Sequence, residues 1–92
     1  MIRKFVLSRQ ILRSGTSVGA NVEEADGAIS KSDFSNKISQ AYKEAKETHY
    51  WLRLLHETHY LNKKQFESML ADCDEICKIL FSILKTTRIK KK

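Results

Sequence analysis

Phe66-Glu67-Ser68-Met69-Leu70-Ala71-Asp72-Cys73-Asp74-Glu75-Ile76-Cys77-Lys78-Ile79-Leu80-Phe81-Ser82-Ile83-Leu84 carries a stripe at Phe66, Met69, Leu70, Cys73, Ile76, Cys77, Leu80, Ile83 and Leu84. The steps between these residues are threes and ones, which place them on one face of an α-helix. Strand alternation needs steps of two. Upstream, Asn62-Lys63-Lys64-Gln65 reads as the start of that helix. The Asn62 side chain can accept from the first turn, and Gln65 can bond back. The spacing predicts a helix over about 63–86. Phe81 lies off the stripe and is a candidate contact with a partner.

Working towards the N-terminus, Phe34, Ile38, Ala41, Ala45, Thr48, Leu52, Leu55 and His59 recur at helical steps, and Trp51, Leu54, Thr58 and Leu61 form a second stripe beside them. Ser30 with Asp33 gives a helix start, so this helix is expected over about 32–61. Two stripes require two neighbours, one in the intrachain core and one elsewhere. Trp51 and Leu54 therefore join Phe81 as candidate oligomer contacts. A first helix is expected over about 2–26, with Leu7, Ile11, Gly15, Val18, Val22 and Ala25 as its inner face. Gly15 and Gly19 each cost a helix about 1 kcal/mol relative to alanine, which predicts close approach of a second helix backbone. Gly27 is the expected C-terminal cap. Short connections between long helices give an antiparallel up-down bundle, all-α and a single domain over 1–92, with 86–92 as a basic tail.

Composition agrees with that reading. The 92 residues include no proline and only three glycines, against the many turns that a β-sandwich or barrel needs. No apolar run approaches the roughly 18 residues of a membrane span, so no membrane partner is expected. Two cysteines are too few for a secreted disulfide scaffold. Residues 1–22 are basic and free of acids, as in a mitochondrial presequence, yet the helical pattern runs through them into Glu23 and makes them part of the fold. The expected location is cytoplasmic. A chain this short buries only about 60–65% of its unfolded surface, which favours a partner subunit.

The net charge of +6 is unevenly placed: residues 1–13 contribute +4, residues 85–92 contribute +5, and the middle contributes −3. Arg3, Lys4, Arg9 and Arg13 at one end, with Lys85, Arg88, Lys90, Lys91 and Lys92 at the other, are candidate nucleic-acid contacts. A solvated, frayed lysine tail is the plainer reading of the C-terminal group. Contacts of this kind give affinity without base specificity. No zinc finger, helix-turn-helix or RNA-stacking motif accompanies them.

Other chemistry is weakly signalled. His49, His56 and His59 with Cys73 and Cys77 could in principle suit zinc, but both thiols fit the core stripe and the short Cys-x-x-Cys knuckle is absent. Glu23, Glu24 and Asp26 cluster at the end of the first helix, where a solvated acidic turn explains them. No glycine-rich loop or His-Glu-x-x-His motif is present, because position 60 is Tyr60. No catalytic residue, cofactor or metal is expected.

The string Leu12-Arg13-Ser14-Gly15-Thr16-Ser17-Val18-Gly19-Ala20-Asn21-Val22-Glu23-Glu24-Ala25 resembles the bacterial four-helix-bundle family of 23S rRNA-intervening-sequence proteins. The likeness continues through Asp33-Phe34, Ala41 to Ala45, Glu47 to Leu52 and Cys73 to Leu80. Arg13, Ser14, Ser17, Asn21 and Glu24 match the family string and read as helix-packing and hydrogen-bonding positions. The resemblance implies an antiparallel bundle that assembles as a ring-shaped homopentamer. It also implies kinship with accessory proteins of diversity-generating retroelements, which engage nucleic acid and a reverse transcriptase. The family begins with a further helix that has no counterpart here before Phe5. Three helices without it are expected to expose an apolar groove that another subunit could fill. The resulting expectation is a non-enzymatic, self-associating scaffold that binds RNA or a nucleic-acid enzyme. The alternative is a protein–protein interaction module.

Overall fold

The computed structural model describes the backbone of residues 2–59 and 61–89 and the side chains of 6–59 and 61–87. The chain forms three helices, α1 (Ile2–Asp26), α2 (Lys31–Glu57) and α3 (Lys63–Ile89), with no strand among the described residues. Both expected helix starts form. Ser30 is extended, at φ −152° and ψ 163°, and its Oγ accepts the Asp33 N–H at 3.0 Å. Asn62 Oδ1 accepts the Gln65 N–H at 2.7 Å, and Gln65 Oε1 accepts the Asn62 N–H at 3.4 Å. These bonds satisfy amide donors that a helix start otherwise leaves unpaired.

The ends of α2 and α3 differ from expectation. α2 stops at Glu57 and not near Leu61. Thr58 closes it, with its N–H donating to Leu54 O at 3.3 Å and its Oγ1 to Leu55 O at 2.7 Å. His59 then turns left-handed at φ 66° and donates its N–H to His56 O at 2.9 Å. Histidine enters that region more readily than β-branched residues do. His59, expected in the core stripe, is consequently outside the helix and exposed. α1 ends at Asp26 with Gly27 closing it as expected, though without a positive φ. The Gly27 N–H donates to Glu24 O at 3.2 Å and the Ala28 N–H to Ala25 O at 3.1 Å, so a tightened last turn closes the helix. α3 runs to Ile89, three residues beyond its expected end.

α2 is the central helix. α1 and α3 both pack on it, and among the described residues they do not pack on each other. Ala41 and Ala45 are fully buried small residues that let both neighbours come close. Ala25, Ile38, Leu80 and Leu84 complete the core around them. Towards the other end Leu7, Leu52 and Leu55 are buried. The product is a rod of 47 × 20 × 16 Å.

This packing revises the reading of the two stripes on α2. Arg13 and Ser14 of α1 meet Glu44, Glu47 and Thr48, whose face Trp51 and Leu54 continue. α3 meets the adjoining face, where Phe81 lies 5.9 Å from Tyr42 and Phe66 stacks 4.1 Å from His56, centroid to centroid. The first stripe meets α1 and α3 within the chain, and Trp51 and Leu54 of the second are half-buried. The inner face of α1 is as expected at Leu7, Val18 and Ala25 and differs at Ser14, Gly15 and Val22. Leu7, Ser14 and Ala25 are its buried residues, while Gly15 and Val22 are exposed. Hydroxyl-bearing Ser14 sits where an apolar residue would be read, because its hydrogen bonds are met inside the helix pair.

Candidate functional site: a polar seam and two basic ends

The residues of the recognisable string lie along the α1–α2 contact. Ser14 is fully buried, and its Oγ accepts from Thr48 Oγ1 at 2.7 Å. Arg13 pairs with Glu47 and faces Glu44 Oε1 from Nη1 at 3.5 Å. One turn further, Asn21 Nδ2 donates to Ser17 O at 2.9 Å and lies 3.3 Å from Ser17 Oγ. Glu24 Oε1 meets Lys37 Nζ at 2.9 Å, and that hydrogen bond and charge hold the Lys37 ammonium above its ordinary range. The ion pairs are partly solvated, so each adds little to stability. The contacts that cross to α2 set register: a one-residue slip would separate Ser14 from Thr48, Arg13 from Glu44 and Glu47, and Glu24 from Lys37 together.

The basic candidates separate by place. Arg13, expected at nucleic acid, is occupied by two glutamates of α2. Arg9 and Lys85 are exposed. The side chains of Arg3, Lys4 and Arg88, and Lys90, Lys91 and Lys92 altogether, lie outside the described residues. The antiparallel path puts the start of α1 and the end of α3 at opposite poles of the rod. Arg9 and Lys85, the exposed candidates among the described side chains, accordingly lie towards opposite ends of the protomer.

The histidines and thiols do not converge. His49 Nε2 lies 3.1 Å from Asp74 Oδ1, His56 stacks on Phe66, and Cys73 Sγ donates to Ala45 O at 3.3 Å. Among the described residues no three His, Cys, Asp or Glu side chains gather as metal ligands. Burial pushes the Cys73 thiol up to about 12 from 9.0 and raises Cys77 as well. Both are poor nucleophiles at neutral pH, since the thiolate is the reactive form. The raised thiol favours the protonated folded state. Its contribution to stability is complete below pH 9 and is lost as pH rises from 9 towards 12. Thermal melts across pH 8–11 should show a fall that is smaller in Cys73→Ala than in the parent.

A feature not located by sequence pattern is an open groove of about 250 Å³ between α1 and α3, with α2 as its floor. Ile11, Gly15 and Val18 form one wall, Leu52 lies at the base, and Met69 and Ile76 form the other wall. The expectation of an apolar groove did not say which residues would line it. The exposure of Val22 and Ile76, both placed on inner stripes by periodicity, follows from it.

Together these features define an antiparallel all-α bundle protein, held in register by a polar seam and open along one apolar side. The chain belongs to the 23S rRNA-intervening sequence protein family, whose model matches residues 2–82. Among solved structures it is similar to a protein of unknown function from the S23 ribosomal protein family of Bacteroides thetaiotaomicron. Identity is 56% over 87% of this chain and 74% of that one, with a TM-score of 0.85. No curated protein matches the chain. Among the described residues no helix is long and apolar enough to cross a membrane.

Proposed function

We propose that the protein is a non-enzymatic, cytoplasmic helical scaffold that assembles with copies of itself and holds RNA through its basic ends. The observation that carries this reading is the placement of charge. The terminal segments contribute +4 and +5 against −3 between them. The start of α1 and the end of α3 lie at opposite ends of the rod, which supports two contact points for each assembled copy. The family description, with its reference to ribosomal RNA, supports the choice of RNA as ligand. Self-assembly is supported by the apolar side that one protomer leaves open. The ring of five implied by the resemblance is one form such an assembly could take.

Phosphate contacts of this kind release counterions. With five contacts to a single strand, log K should fall with log salt at a slope of about 3.5. Filter retention of unrelated single-stranded and hairpin RNAs tests this. Both should be retained at 50 mM salt, without sequence preference, and about 100-fold more weakly at 200 mM. Absence of retention at 50 mM overturns the reading.

A second reading, an interaction module for a protein or a nucleic-acid enzyme, is favoured by the exposed Phe81 ring and by Trp51 Nε1, which is buried without an acceptor. A partner captured in the presence of ribonuclease and lost on Trp51→Ala, with the helical signal retained, would favour it over RNA.

A further inference from the structure

Where α2 and α3 meet, residues of these two helices alone line an open recess of about 280 Å³. Tyr42 and Lys46 line it from α2, and Asp74, Cys77, Lys78 and Phe81 line it from α3. Phe81 is 53% exposed. Its ring lies 5.9 Å from that of Tyr42, tilted by 41°. Tyr42 is half-buried and packs on the core, so one neighbour fixes the Phe81 ring while much of it stays open to solvent.

The charge around this ring is mostly positive. Lys46 and Lys78 are exposed on the two walls, and among the described residues neither forms an ion pair. Lys85, one turn beyond Phe81 on α3, is exposed and continues the same face. The carboxylate in the recess, Asp74, is engaged by His49, whose Nε2 lies 3.1 Å from its Oδ1. Cations along a groove, with an aromatic ring between them, suit single-stranded nucleic acid: phosphates meet the cations while a base stacks on the ring. A duplex keeps its bases inside and gains the cations alone. An apolar protein anchor is served less well, because ammonium and carboxylate groups surround the ring.

We propose that this recess binds an unpaired nucleotide of single-stranded RNA, with the base stacked on Phe81 and the flanking phosphates on Lys46, Lys78 and Lys85. Lys78 and Lys85 are seven residues apart, about 10 Å along the helix, and Phe81 stands between them. A strand leaving the recess therefore runs along α3 towards the basic C-terminal end. The inference rests on the RNA reading above and deepens it, adding a site that favours single strands to ends that hold any phosphate backbone.

Fluorescence anisotropy of a labelled oligouridylate, and of a blunt RNA duplex of equal length, tests this at 50 mM salt with the parent, Phe81→Ala, Phe81→Trp and the double variant Lys46→Gln/Lys78→Gln. Phe81→Ala is expected to weaken single-strand binding about tenfold and to leave duplex binding within about twofold. Phe81→Trp, which restores a stacking surface, should bind the single strand as the parent does. The double variant should flatten the single-strand salt slope by about 1.4. All three side chains are exposed, so the far-ultraviolet helical signal should not change. A parent that binds neither RNA overturns the RNA reading and this inference with it. A parent that binds both RNAs, with Phe81→Ala binding the single strand as tightly, overturns the recess alone and leaves the ends. Loss of a protein partner in Phe81→Ala, captured in the presence of ribonuclease and with single-strand affinity unchanged, assigns the ring to protein and overturns the recess as well.

Discussion

Replacing Lys85, Arg88, Lys90, Lys91 and Lys92 together by glutamine should weaken RNA retention at 50 mM salt by at least about 100-fold, because counterion release supplies most of the affinity. The salt slope should flatten by about 0.7 for each contact removed. Among the described residues the buried ones of α3 end at Leu84, and Lys85 is exposed. The helical signal and the melting temperature should therefore stay near those of the parent. Filter binding at four salt concentrations, with circular dichroism on the same samples, measures both. An unchanged affinity would place RNA binding elsewhere.

Leu52→Ala should have the largest effect on stability. Leu52 is 2% exposed and lies at the base of the groove, where α1 and α3 flank it. Deleting a buried leucine side chain costs about 2–5 kcal/mol, depending on how far the site collapses. The groove above is open, so neighbouring side chains can relax into part of the space, and the lower half of that range is expected. In a chain of this size about 2–3 kcal/mol corresponds to a fall in Tm of roughly 10–20 °C. Thermal and urea unfolding test the figure. Leu12→Ala, at an exposed position on the same side, should change protomer stability by no more than about 0.5 kcal/mol. A Leu52 variant as stable as the parent would contradict the packing described.

The elements with strong local signals were legible in the residues themselves. The Ser30 and Asn62 starts depend on partners three residues away, and the period of α3 is regular over five turns. The end of α2 was not legible, because Thr58 and His59 lack the glycine that normally announces a left-handed cap. The inner face of α1 holds at Leu7, Val18 and Ala25, whereas Ser14 is internal in place of Gly15. Ser14 is polar by composition and internal by position, and its hydrogen bond from Thr48 reveals that, while Ser17 and Asn21 are half-buried and bond each other within α1. The string from Arg13 to Glu24 was recognisable before its geometry was known. Its role as a seam depends on Lys37, Glu44, Glu47 and Thr48, which stand far away in sequence. The groove was foreseen only as an absence of cover. Its wall residues are 51 or more positions apart along the chain, and no local period connects Gly15 with Met69.

The central claim is that the string residues hold the helices in register while RNA is held at the ends. A salt titration of RNA binding by the parent and by Arg13→Gln, with melting curves for both, tests it most directly. The account predicts that both proteins bind RNA with the same salt slope, and that the variant melts at a lower temperature because Glu44 and Glu47 lose their partner. A variant with the parent's melting temperature and a salt slope flatter by about one contact would contradict it, since Arg13 would then be serving phosphate and not the seam.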